Sequence, residues 1–124
     1  MRWIVDGMNV IGCRPDGWWK NRRGAMVRLV EQLEQWACEQ SRCVTVVFER
    51  PPTPPIQSSG IEIAHAPAAA ANSADDEIVR LVRASDRPQE ITVVTSDSTL
   101  ADRVRRAGAS VYPAAAFRDL IDPR

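Results

Sequence analysis

The sequence predicts a three-layer α/β fold with a mostly parallel five-stranded sheet, formed by residues 1–124 as a single domain. Short apolar runs alternate along the chain with segments of helical periodicity, which is the pattern of successive strand–helix–strand units. The runs at 43–49 and 91–97 are dense in Val, Ile and Thr with little polar alternation. Such runs are typical of parallel strands that are covered on both faces.

Five apolar runs predict the strands, and they lie at 3–6, 43–49, 61–66, 91–97 and 110–113. Helices are predicted between them, because apolar residues recur at helical spacing in 24–40, 73–85 and 98–107. Ser73 is a suitable N-cap for the second of these helices, with Asp76 as its capping-box partner. A short last helix follows Pro113. The stretch 50–60 holds four prolines and is therefore predicted to be a loop.

The charge balance is neutral overall, with 16 Lys and Arg against 16 Asp and Glu, so net charge does not indicate a partner. Positive charge is concentrated locally between residues 14 and 28, where basic residues are interleaved with Trp18 and Trp19. Two interpretations remain open: an RNA-binding surface, or the solvated start of a helix. The residues predicted to contact RNA are Arg14, Lys20, Arg22 and Arg23.

The cysteines favour a cytoplasmic protein with reduced thiols, because there are three of them and no CxxC pair. The amino-terminal stretch lacks the apolar core of a signal peptide, and no apolar run approaches the roughly 20 residues of a membrane span. We therefore expect no membrane contact. The single histidine, His65, has no second His or Cys at ligand spacing, which argues against a zinc site.

Carboxylates follow two of the predicted strands, since Asp6 ends the first and Asp97 ends the fourth. Open parallel sheets bind ligands beyond the carboxyl ends of the strands, where the strand order reverses. If these two strands are neighbours, Asp6 and Asp97 face each other across that crevice. A two-residue turn through Gly7 then directs Asn9 back to the same place. The alternative for Asp97, and for Ser96 before it, is a role in capping the next helix.

A third acid, Asp75, precedes Ile78, Val79 and Val82 at helical spacing and so points along the buried face of its helix. Three carboxylates that converge on one crevice repel each other and are usually stabilised by a divalent cation with oxygen ligands, commonly Mg²⁺ or Mn²⁺. Such a cation orients a phosphate and activates water. Asp76, by contrast, is explained by the positive end of the helix.

The motifs resemble a known family when they are taken together. "IVDGMNVIG" at 4–12 resembles the "VDGYNVI" opening of NYN domains, in particular the YacP-like branch of the PIN-like ribonuclease superfamily. "RRGAMVRLVEQLEQWA", "VTVVFE", "SADDEIVRLV" and "ITVVTSDSTLADRVRRAGASVYPAAAF" follow in the family's order and spacing. The sequence departs from the family at Met8, where Tyr is usual, at Glu49, where Asp is common, and in its proline-rich loop.

The resemblance implies a PIN-like fold with strand order 3-2-1-4-5 and a metal-dependent endoribonuclease, a hydrolase that uses Mg²⁺ or Mn²⁺ on RNA. It implies a catalytic site of Asp6, Asp75 and Asp97 as metal ligands, with Asn9 supporting Asp6. Asp76, Asp102 and Ser96 are accessory candidates, although an ion pair with Arg106 explains Asp102 equally well. The alternative is a non-catalytic RNA-binding or ribosome-associated module of the same fold. The RNA target and the oligomeric state are left open.

Overall fold

The computed structural model describes residues 1–66 and 73–123. Within these ranges the chain forms five strands and five α-helices, with 3-10 turns at Trp18–Lys20 and Pro88–Glu90. In chain order the elements are β1 (Arg2–Asp6), α1 (Gly7–Ile11), α2 (Arg22–Gln40), β2 (Cys43–Phe48), β3 (Glu62–His65), α3 (Ser73–Ala84), β4 (Ile91–Val94), α4 (Ser98–Arg106), β5 (Ser110–Tyr112) and α5 (Ala114–Ile121).

The five strands form one parallel sheet in the order β3-β2-β1-β4-β5, which confirms the expected topology. The central strand is β1, and its register places Val5 beside Val46 of β2 and Val94 of β4. The chain runs outward from β1 to β2 and β3 on one side and to β4 and β5 on the other. The strand order therefore reverses between β1 and β4, where an open parallel sheet has its ligand crevice.

Helices cover both faces of the sheet, which confirms the three-layer prediction. Successive strand side chains point to opposite faces, so Val5 belongs to one apolar cluster and Ile4 to the other. The first cluster joins the sheet to α1, α2 and α5 through Val10, Leu29, Leu33 and Phe117. The second joins it to α3 and α4 through Ile78, Val82, Leu100 and Val104. These two apolar clusters thus hold in place the strand ends that carry the polar residues.

Helix α2 forms because five apolar residues share the face that packs on the sheet, namely Met26, Leu29, Val30, Leu33 and Ala37. The side-chain oxygen of Asn21 caps the helix by accepting a hydrogen bond of 2.9 Å from the amide of Gly24. At the other end Ser41 adopts a left-handed conformation with φ of 51°. Although α2 is 19 residues long, none of the described helices is apolar enough to cross a membrane.

Two predicted connections are wrong. Helix α1 follows β1 directly, where a two-residue turn was predicted, and it is too short for its periodicity to be recognised. Gly7 permits this start, because a Cβ there would lie 2.6 Å from a ring carbon of Phe48. Strand β4 ends at Val94 rather than at Asp97, because the hydroxyl of Thr95 bonds to the Asp97 amide and turns the chain. The predicted cap at Ser73 depends on a side chain outside the described part of the structure.

Candidate active site

The end of the central strand carries a buried carboxylate. Asp6 is only 7% exposed, and its Oδ2 accepts a hydrogen bond of 3.1 Å from the hydroxyl of Thr95. Thr95 is itself 1% exposed, and the same hydroxyl oxygen accepts from the Asp97 amide at 3.1 Å. One hydroxyl group therefore links the end of β1 to the turn between β4 and α4.

The surroundings of Asp6 disfavour its negative charge. The pKa of Asp6 is raised from its ordinary value of 3.8 to about 7, chiefly by burial and in addition by the neighbouring charges of Asp75 and Asp97. The hydrogen bonds from Thr95 and from the backbone of Asn9 oppose this rise in pKa. Near neutral pH the carboxyl group is thus balanced between its protonated and ionised forms, and a cation beside it favours the ionised form.

Asp75 lies in the first turn of α3, and its charge interacts with those of Asp6 and Asp97. Burial raises the pKa of Asp75, the charges of Asp97, Asp76 and Glu49 raise it further, and Arg103 lowers it. The acids at the ends of β1, β2 and β4 therefore interact across one edge of the sheet. Among the residues that the structure describes, no three His, Cys, Asp or Glu side chains are placed to share a metal ion. The ligand roles of Asp6, Asp75 and Asp97 stay predictions.

Asp97 occupies the N-cap position of α4. Its Oδ1 accepts hydrogen bonds from the amide of Thr99 at 2.9 Å and from the amide of Leu100 at 3.1 Å. This is the capping geometry that the sequence left open as the alternative for this residue. Capping engages one carboxylate oxygen and fixes the orientation of the group. It is compatible with an additional role in the acidic site.

Asn9 and Ser96 connect the acidic site to the surrounding elements. The Asn9 side chain accepts a hydrogen bond of 2.8 Å from the Ser96 amide, so it holds the turn after β4 against α1. The Ser96 hydroxyl accepts from the Ala114 amide at 3.0 Å, at the start of α5. Asn9 thus stabilises the region around Asp6 through the backbone. The alternative that Ser96 caps α4 is wrong, because Asp97 caps that helix and the Ser96 hydroxyl accepts from the first residue of α5.

The accessory acids have ion-pair partners of their own. Asp76 contacts Arg103 at 2.9 Å, which joins α3 to α4. Asp102 lies 3.9 Å from Arg105, so the predicted pairing of Asp102 with Arg106 is wrong by one residue. Both acids are exposed, and pairs of this kind add little to stability.

The four basic residues predicted to contact RNA differ in their partners, and their RNA-binding role stays a prediction. The guanidinium group of Arg14 contacts Asp119 at 2.8 Å and Asp122 at 2.9 Å, and its side chain is only 16% exposed. Arg14 therefore ties the segment after α1 to the end of α5. Lys20 is exposed. Arg23 donates to the carbonyl oxygen of Pro54 at 3.1 Å and so holds the proline-rich loop beside α2.

A groove of about 320 Å³ opens at the carboxyl edge of the sheet, between α1, the start of α2 and the segment after β2. Its lining includes Met8, Arg22, Met26, Phe48, Glu49 and the residues 50–52. The groove lies beside the acidic site, because its lining residues Met8 and Glu49 follow the ends of the paired strands β1 and β2. Glu49 follows a buried strand next to β1, so the strand-end rule that selected Asp6 would also have selected it.

A family model described as the YacP-like NYN domain matches residues 3–123. The chain belongs to the YacP-like NYN family. Its NYN domain is part of the PIN-like nuclease superfamily, as the resemblance implied. No curated protein matches the chain.

Two crystal structures of Rae1 (YacP) from Bacillus subtilis are similar to this YacP-like NYN chain. One has a TM-score of 0.82 at 23% identity, and a point mutant of the same protein has a TM-score of 0.80 at 22% identity. In both cases the match covers 98% of this chain and 74% of the other. At this level of identity the likeness establishes a shared fold, and it supports the topology described above.

Proposed function

We propose that this YacP-like NYN protein is a metal-dependent endoribonuclease that hydrolyses RNA phosphodiester bonds. The observation that carries the proposal is the Asp6 carboxyl group, which is buried at the strand-order reversal and repelled by Asp75 and Asp97. A buried acid with a pKa moved to about 7 by its environment is characteristic of functional sites. The family also supports RNA as the class of substrate.

The donor set fits Mg²⁺ or Mn²⁺, because carboxylate oxygens are the ligands that these cations prefer. Asp6, Asp75 and Asp97 would hold the cation, and binding would bring their side chains closer together, because in the described part of the structure no three such groups are already placed to share one ion. A cation would offset both the burial and the mutual repulsion that raise the pKa values of Asp6 and Asp75. When bound, the cation would orient the phosphate and lower the pKa of water.

The remaining residues of the site orient these acids. Thr95 donates to Asp6 and so fixes the direction of its carboxylate, as hydrogen-bonded neighbours of metal ligands commonly do. Asn9 holds the turn after β4 through the amide of Ser96. The capping bonds of Asp97 limit the rotation of its side chain.

The RNA backbone would be held by Lys20, Arg22 and Arg23, which lie at and just before the start of α2. Arg22 lines the groove beside the acids, and Lys20 is exposed. Arg14 is left out of this set because Asp119 and Asp122 balance its charge. Positive charge at the rim of an acidic site offsets the repulsion between the acids and the phosphates.

The test is cleavage of an end-labelled single-stranded RNA by purified protein, with EDTA, Mg²⁺ or Mn²⁺. We expect cleavage only with a divalent cation, and a loss of at least about a hundredfold for Asp6→Asn, as for the removal of one preorganised group. Asp86→Asn is the matched control, because Asp86 is an exposed acid at the opposite edge of the sheet. RNA binding without cleavage under every condition would favour the non-catalytic RNA-binding alternative.

A further inference from the structure

The groove beside the acidic site has an apolar interior. Met8, Met26 and Phe48 contribute to its lining, and all three belong to or pack against the core cluster around α2. Pro51 and Pro52 line the side formed by the segment after β2. A volume of about 320 Å³ is at the lower end of the range of ligand sites, which is about 300–1,000 Å³. The groove is therefore of a size for one small ligand.

Two positive charges lie at this apolar groove. Arg22 and Arg50 both contribute to the lining, and the guanidinium carbon of Arg22 is 5.3 Å from the ring centroid of Trp18. The contact with Trp18 is a cation–π interaction that restrains the plane of the guanidinium group. A planar guanidinium group both attracts phosphate and stacks on aromatic rings. The lining is thus complementary to a ligand that combines a flat ring with a negative charge.

The groove lies next to the acidic site, because Met8 is two residues after Asp6 and because Phe48 and Glu49 directly follow Val47, the β2 partner of Asp6. We propose that the groove holds one unstacked nucleobase of a single-stranded RNA, with Arg22 stacked on the base and the next phosphate directed towards the acids. This inference rests on the proposed function, and it makes the groove a binding subsite for one nucleotide next to the cleavage site. A base within a duplex stays stacked and does not enter, whereas single-stranded RNA presents bases that can be splayed out.

The three methionines of the chain provide the test. Met8 and Met26 line the groove, whereas Met1 is 67% exposed and precedes the opposite end of β1. With methyl-¹³C-methionine, adenosine 5′-monophosphate is expected to shift the methyl signals of Met8 and Met26 and leave that of Met1 unchanged. Ribose 5-phosphate carries the same charge without the ring, and we expect it to bind roughly tenfold more weakly, as the loss of one stacked base predicts.

Three variants separate stacking from charge. Arg22→Lys is expected to weaken nucleotide binding about tenfold, because lysine keeps the charge but loses the stacking plane, and Arg22→Ala is expected to weaken it further because alanine loses both. Arg28→Ala is the control, since Arg28 is exposed on the same helix and lines a separate small cavity. It is expected to change the midpoint of the titration by less than about twofold.

All titrations are run in EDTA, so that their outcome does not depend on cleavage. The stacking proposal is overturned if ribose 5-phosphate binds as tightly as adenosine 5′-monophosphate, or if Arg22→Lys binds adenosine 5′-monophosphate as tightly as the parent protein. It is also overturned if N-acetyl-leucine amide binds as tightly as adenosine 5′-monophosphate, which would point to a peptide site. RNA cleavage without shifts at Met8 and Met26 leaves the nuclease proposal intact and removes the groove from it. Methyl shifts in a protein that does not cleave RNA remove only the nuclease proposal.

Discussion

Replacing Asp6 with Asn is expected to stabilise the metal-free protein at pH 8, and this effect is expected to become less favourable as the pH falls to 5. The pKa of this carboxyl group is raised from 3.8 to about 7 in the folded chain. Between pH 3.8 and about pH 7, the Asp6 carboxyl group holds a proton in the folded chain and has released it in the unfolded chain. The free energy of unfolding therefore falls as the pH rises. A rise in pKa from 3.8 to about 7 corresponds to about 4 kcal/mol of unfolding free energy, of which about 3 kcal/mol is lost between pH 5 and pH 8.

The assay is urea unfolding in EDTA, followed by tryptophan fluorescence, at several pH values between 5 and 8. All other acids are common to the two proteins, so the difference between their unfolding free energies isolates Asp6. The Asn oxygen can accept the hydrogen bond from Thr95, but its amide group adds a buried donor that costs about 1–3 kcal/mol at every pH. The informative quantity is therefore the unfolding free energy of Asp6→Asn minus that of the parent protein, followed as a function of pH. We expect it to increase by about 3 kcal/mol from pH 5 to pH 8.

A difference that stays constant within about 0.5 kcal/mol from pH 5 to pH 8 would refute the reasoning, because the carboxyl group would then titrate as an ordinary exposed acid. Asp86→Asn serves as the control for the general effect of replacing one exposed carboxylate with an amide. Adding Mg²⁺ at pH 8 should stabilise the parent protein by about 2.7 kcal/mol at a hundred times its dissociation constant, and should leave Asp6→Asn nearly unchanged.

Three further predictions concern other parts of the site. Gly7→Ala should lower the free energy of unfolding by about 1–3 kcal/mol in urea denaturation, because the added methyl group meets the ring of Phe48; an unchanged value would show that the ring can move. Asp97→Asn should change the unfolding free energy of the metal-free protein by less than about 0.5 kcal/mol, because Asn is an equally good helix cap. RNA cleavage should nevertheless fall more than about tenfold. Cleavage at the parent rate would remove Asp97 from the mechanism. Replacing Arg22 and Arg23 with Ala should reduce the slope of log affinity for RNA against log salt by about 1.4, and an unchanged slope would show that both are merely solvated.

The sequence was sufficient to predict the elements that bury apolar side chains. The strands and the helices α2, α3 and α4 have clear periodicity, because each covers an extended part of the core. The prediction of the strand order depended on the resemblance to the NYN family, because apolar runs do not indicate which strands are neighbours in the sheet. Helix α1 was missed because five residues are too few to show a helical period.

Within the candidate site, the positions of the acids were more predictable than their partners. Asp6 and Asp75 could be placed because each adjoins an apolar pattern that fixes its direction. Arg14 was assigned to RNA, and its contacts with Asp119 and Asp122 were not foreseen, because those acids are more than 100 residues away along the chain. Glu49 was treated only as a departure from the family pattern. Its exposure and its position beside the groove depend on tertiary structure.

The hydrogen bonds around Asp6 have a consequence for the order of folding. Thr95 is 89 residues from Asp6, and Ser96 is 87 residues from Asn9. Contacts of such long sequence separation require large loops to close, so they form only when distant parts of the chain have come together. Neither half of the chain can assemble this arrangement alone, because β1 supplies the acid and the segment after β4 supplies the groups that orient it. The pairing of β1 with β4 is thus the folding event on which the candidate active site depends.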